Sequence, residues 1–124
     1  MERVLPPDLE ELLTPGYRRH ASPAAGPAAS PEELRAVIEK ERLDVPDLTV
    51  TVADRLIGQD RAVFRWTSEG TDSGPGDYPP THRRFQMAGI TWLRLEGGRI
   101  AEEWSSADTL DALLQLGFTV HPPE

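Results

Sequence analysis

Residues 84–118 read RFQMAGITWLRLE-GG-RIAEEWSSAD-TLDALLQLGF, and this stretch decides the fold. Arg84 to Leu95 alternates apolar and polar residues with the period of a strand. Gly97–Gly98 supplies two consecutive residues that tolerate positive φ, the requirement of a tight hairpin. Arg99 to Ser105 then returns as the next strand. With Leu95 set opposite Arg99, Thr91 pairs with Glu103, and Thr91 and Ser105 share a face. After Asp108 the period lengthens. Leu110, Leu113 and Leu114 form one helical face, and Gly117 is placed to end the helix.

Working toward the N-terminus, Ala62 to Thr71 reads as another strand, with Phe64 and Trp66 on one face. Leu48, Val50 and Val52 mark a fourth, and Gly58-Gln59-Asp60 turns between the two. Asp72 to Thr81 is a Gly/Pro loop. Ser30, Pro31 and Glu33 carry the start signal of a helix whose stripe is Leu34, Val37 and Ile38, stopped by Pro46. Ser22 to Ala29 is a loop, Tyr17 to Ala21 a brief extended piece, and Asp8 to Leu13 a short helix capped by Asp8 and stopped by Pro15–Gly16. Short helices followed by an antiparallel meander predict an α+β fold: a curved sheet wrapped on helices, with a pocket on its concave face.

Composition narrows the function. The 124 residues make one domain, 1–124, with a single core. Without cysteine there is no disulfide and no thiolate metal site. His20, His82 and His121 are too scattered for a metal site, so neither metal nor organic cofactor is expected. A net charge of −8 argues against nucleic acid as a partner. The pairs Arg18–Arg19 and Arg83–Arg84 read as solvated loop charges. No apolar run is long enough to span a membrane, and the expected location is the cytoplasm.

An ordered set of short motifs runs through the chain. It comprises Pro46-Asp47-Leu48, Phe64-Arg65-Trp66-Thr67, Gly70-Thr71, Gly74, Pro79-Pro80-Thr81 with Arg83-Arg84, and Gly89-Ile90. It continues through Gly97-Gly98-Arg99-Ile100, Glu102-Glu103-Trp104 and Asp108-Thr109-Leu110 to Gly117. Together these residues resemble the SnoaL-like polyketide cyclase, or ester cyclase, family over about residues 9–118, leaving 119–124 as a tail. The resemblance implies the cone-shaped architecture of nuclear transport factor two. It also implies a small apolar or carbonyl-containing ligand, a homodimer through the outer sheet, and cyclase chemistry driven by an acidic side chain that deprotonates carbon next to a carbonyl. A carboxylate in an apolar pocket suits that task because desolvation makes it a better base.

Several positions depart from the family pattern. Ser105 stands where an acid is common, and Thr91 where a histidine is. The first family helix is missing or shortened before Asp8. Glu103, on the face of Thr91 and Ser105, becomes the candidate base, against an ion pair with Arg94 or Arg99. Asp108 reads first as a helix cap and second as a displaced acid. His20 is a candidate helper at the pocket rim, with Tyr17 a phenolic donor near it. Trp66, Trp92, Trp104, Phe85 and Met87 divide between pocket lining and plain packing, and Ile90 and Trp92 are candidate dimer contacts. Two functions stay open: a cofactor-independent cyclase, isomerase or hydrolase, and a non-catalytic ligand-binding or dimeric assembly protein.

Overall fold

The computed structural model describes residues 9–20, 30–76 and 78–123. Expectations for Asp8 as a cap, for the loop Ser22 to Ala29 and for the chain before Asp8 lie outside the described residues. The elements are α1 (Leu9–Leu12), β1 (Leu13–His20), α2 (Pro31–Asp44), β2 (Thr49–Ile57), β3 (Arg61–Thr71), β4 (Arg84–Glu96), β5 (Arg99–Ala107) and α3 (Thr109–Gln115). The five strands form one sheet in the order β1-β5-β4-β3-β2. β1 runs parallel to β5 and all other pairs are antiparallel. The α+β class is as the sequence predicts. Among the described residues, no helix is long and apolar enough to cross a membrane.

The β4–β5 hairpin corrects the expected register. Glu96, not Leu95, faces Arg99, across a two-glycine turn with Gly97 at φ +56° and Gly98 at φ +79°. Leu95 faces Ile100, and the register then shifts so that Arg94 faces Glu102. Ala101 is thus an extra residue on β5. The tighter turn and the bulge each contribute one step. Thr91 therefore pairs with Ser105, and Glu103 with Leu93. Two steps are an even number, so every side chain keeps its predicted face.

The Ser30 hydroxyl accepts the Glu33 amide at 3.2 Å, with Pro31 in the first turn, and so starts α2. Leu34 and Ile38 of α2 pack with Leu9, Leu13, Tyr17 and Ile100 in the main core. α1 ends at Leu12, one residue earlier than its pattern suggests. Pro15–Gly16 falls inside β1 instead, where the pairing with β5 is interrupted between Leu13 and Arg18. At the other border, β2 bulges at Ala53, because Val52 faces Trp66 while Asp54 faces Arg65.

Asp108 Oδ1 accepts the Asp111 amide at 3.1 Å and caps α3. The helix stops where Gly117, at φ +96°, donates to the Leu114 carbonyl and Phe118 donates to that of Leu113. Its buried residue is Ala112, and the leucine face stays exposed at Leu110, Leu113 and Leu114. Gln115 explains why so small a contact suffices. Its amide accepts from Gln86 N and donates to Gln86 O, both at 2.8 Å, as a neighbouring strand would where β5 no longer reaches.

Candidate functional site

A cavity of about 710 Å³ opens on the inner face of the sheet. Alternation along each strand selects its lining: Val50 and Val52 from β2, Phe64, Trp66 and Ser68 from β3, Phe85, Met87 and Thr91 from β4, Glu103 and Ser105 from β5. Arg19 from β1 and Glu41 and Asp44 from the end of α2 close one side.

Glu103 is the hub of the polar part. Its Oε1 accepts the Tyr17 phenol at 2.9 Å, and its Oε2 accepts Arg19 Nε at 3.3 Å and the Ser105 hydroxyl at 3.0 Å. Ser105 Oγ lies 2.9 Å from Thr91 Oγ1, which in turn accepts Trp66 Nε1 at 2.9 Å. Each hydroxyl has one hydrogen. Ser105 spends its own on Glu103, so Thr91 must donate to Ser105. The hydrogen bonds therefore run one way, from the Trp66 indole through Thr91 and Ser105 to Glu103.

Tyr17 is fully buried and is a support beneath the site rather than a lining residue. Burial, reinforced by the charge of Glu103, raises its phenol well above its usual range. The folded chain thus holds this proton more tightly than the unfolded chain does. Stability from this group is whole below about pH 10 and is lost as pH rises beyond it. Thermal melts above that pH should show a steeper decline for the wild type than for Tyr17→Phe, and parallel declines would refute the assignment.

Glu41 faces the cavity from the end of α2, near Arg19 and Glu103. Leu34, Ile38 and Glu41 share one helical stripe, so the acid continues the core-facing row into the cavity mouth. Glu41 as a whole stays exposed, but desolvation on its cavity side raises its carboxyl above the ordinary carboxylate range. Arg19 opposes that shift, and Glu103 and Asp44 add to it. Among the described residues, none donates a hydrogen bond to this carboxylate.

The remaining candidates lie elsewhere. His20 does not reach the pocket rim. Parallel pairing sets Arg19 beside Glu103 and His20 beside Trp104, so Arg19 points inward and His20 outward. There His20 stacks on Trp104 at 5.3 Å between ring centres and its Nε2 lies 2.7 Å from Glu102 Oε2. The His20 hydrogen bond and Arg94 draw the Glu102 carboxyl below its usual range. Thus Arg94 pairs with Glu102, and Arg19 rather than Arg94 or Arg99 pairs with Glu103. Trp92 and Trp104 lie on the outer face, whereas Trp66, Phe85 and Met87 line the cavity. Asp108 caps α3 and is not among the lining residues. Among the described residues, no group of three or more histidines and acids is placed to hold a metal.

The family model for SnoaL-like polyketide cyclases matches residues 2–116. The chain belongs to the SnoaL-like polyketide cyclase family. Solved structures agree. IdmH from Streptomyces antibioticus is 32% identical, with a TM-score of 0.77 over 89% of this chain and 85% of its own. TsrD from Streptomyces laurentii is 34% identical, with a TM-score of 0.76 over 88% and 80%. A SnoaL-like protein from Jannaschia sp. CCS1, at 23% identity, shares the fold with a TM-score of 0.78 over 93% and 78%. No curated protein matches the chain. Within this SnoaL-like frame, Arg19, Glu41, Asp44 and Ser68 are among the site residues that sequence reasoning passed over.

Proposed function

We propose that this SnoaL-like protein is a cofactor-independent acid/base catalyst acting on a small, largely apolar carbonyl compound. Glu41 takes a proton from the carbon next to the carbonyl, and the Arg19 guanidinium supports the enolate oxygen that forms. The enolate carbon then attacks a second carbonyl of the same molecule, whose C=O opens to an alkoxide that takes back the proton from Glu41, or the enolate is reprotonated by Glu41 at another carbon in an isomerisation. The observation that carries this reading is the placement of the Glu41 carboxyl, raised above its ordinary range, near Arg19 on the lining of a largely apolar cavity. Glu103, with three donors on its roughly four lone-pair sites, positions Arg19 rather than serving as the base. Asp108 and His20 take no part.

Deuterium exchange at the carbon beside the carbonyl of dihydrophenanthrenone, followed by NMR, tests the proton-transfer step without knowledge of the natural substrate. Glu41→Gln should slow catalysed exchange by about 10²–10⁴-fold while leaving the melting temperature near that of the parent. The wild-type rate should rise with pH over a range displaced above that of an ordinary carboxylate, because only the ionised base accepts the proton. An unchanged rate in Glu41→Gln would sink the assignment. Binding without exchange in the wild type would instead support a non-catalytic ligand carrier. That alternative is favoured by Ser105, whose hydrogen is already committed to Glu103.

We also propose a homodimer through the outer face, where Ile90, Trp92 and Trp104 are 51%, 46% and 39% exposed. Light scattering should give twice the chain mass at micromolar concentration, and Trp92→Glu should halve it. A monomeric wild type rejects this proposal.

A further inference from the structure

Ser68 is 4% exposed and lines the cavity, yet its hydroxyl has no hydrogen-bond partner. Its surroundings explain the isolation. It pairs across the strands with Val50 on one side and Met87 on the other, and both line the same cavity. Two residues further on, Val45 and Leu48 pack over Gly70 beside the Asp47 carboxylate. Buried hydroxyls are almost always bonded, and leaving one unmet disfavours the empty protein.

We propose that Ser68 holds the far end of the ligand through an uncharged oxygen, a hydroxyl or a carbonyl, carried on an apolar body. The inference rests on the carbonyl-pocket reading given above. The oxygen must be neutral, because Val50 and Met87 beside Ser68 offer no partner to a buried negative charge and the Asp47 carboxylate near Gly70 would repel one. One rotamer change is the largest movement a serine needs to turn its hydroxyl toward the cavity. Spacing along the sheet sets the ligand's shape. Ser68 stands opposite Met87 and Ser105 opposite Thr91, which puts them about 13 Å apart along β4. An elongated molecule of fused rings, with its reacting carbonyl beside Arg19 and a second oxygen at the far end, meets both.

Calorimetric titration with dihydrophenanthrenone and with its analogue hydroxylated on the far ring tests the assignment. The wild type should bind the hydroxylated ketone about tenfold more tightly than the plain one. Ser68→Ala should bind both with the affinity the wild type shows for the plain ketone. Equal affinities in the wild type, or a preference that survives in Ser68→Ala, overturn the anchor and leave the pocket reading standing. Failure of both ketones to bind overturns the two together. The ligand-free variant gives an independent readout: Ser68→Ala should melt at or above the wild-type temperature. A lower melting temperature shows the hydroxyl bonded within the protein and overturns the proposal.

Discussion

Glu103→Gln is expected to lower the unfolding free energy by about 2–4 kcal/mol and to reduce catalysed exchange by at least as much as Glu41→Gln. The substitution preserves shape, so the loss comes from hydrogen-bond accounting. The native carboxylate accepts from Tyr17, Arg19 and Ser105. A glutamine amide has one oxygen and one donor group. If its nitrogen faces Arg19 and Ser105, a donor meets the guanidinium, which cannot accept. If its nitrogen faces Tyr17, the phenol can accept, but its hydrogen is stranded where no solvent reaches. Either orientation also leaves Arg19 without the charge that fixes it. Because the stranded hydrogen belongs to Tyr17, the two residues should couple. Glu103→Gln should cost about 1 kcal/mol less in a Tyr17→Phe background than in the wild type. Denaturant titration of the four proteins of that cycle measures the difference, and equal costs in both backgrounds would refute the account.

The second large effect is expected at Gly89. A Cβ placed there would overlap Cζ2, Cη2 and Cε2 of Trp66, whose ring lies across the glycine from the neighbouring strand. Gly89 has no positive φ, so the backbone itself would accept alanine. Any loss must come from the displaced indole. Gly89→Ala should therefore break the Trp66–Thr91 hydrogen bond and push the ring into the cavity, at a cost of about 1–3 kcal/mol. Near-ultraviolet circular dichroism should show the altered indole environment, and affinity for dihydrophenanthrenone should fall. Trp66→Phe should rescue much of the stability lost in Gly89→Ala, because the smaller ring clears the new methyl. An unchanged spectrum and melting temperature would show that the ring is not packed on Gly89.

These two sites show what local pattern carries and what it leaves out. Period-two alternation assigned Phe64 and Trp66, and Thr91, Glu103 and Ser105, to their correct faces. Counting pairs from the hairpin still misplaced the partners by two, because nothing about Ala101 as a residue type announces a bulge. The role of Arg19 depends on parallel pairing between β1 and β5, a contact bridging more than eighty residues of chain, and local composition cannot encode it. The same pairing turned His20 outward. Glu41 was legible, since it occupies the slot after Leu34 and Ile38 on one stripe, but an acid near a helix end reads as solvated by default. The leucines of α3 show a further limit: their spacing predicts the apolar face of the helix but not that it stays exposed, while Ala112 and the Gln115 amide hold the helix.

The bulge at Ala53 has a consequence for solubility. β2 is one of the two edge strands of the sheet, and Val50, Val52, Leu56 and Ile57 are all more than half exposed. A flat border of that composition would template pairing with other chains and seed fibres. The extra residue breaks the straight run of free amide and carbonyl groups, and the charged pair Asp54–Arg55 follows at once. The irregularity that follows the cavity-lining Val52 thereby also guards an exposed apolar edge of the sheet.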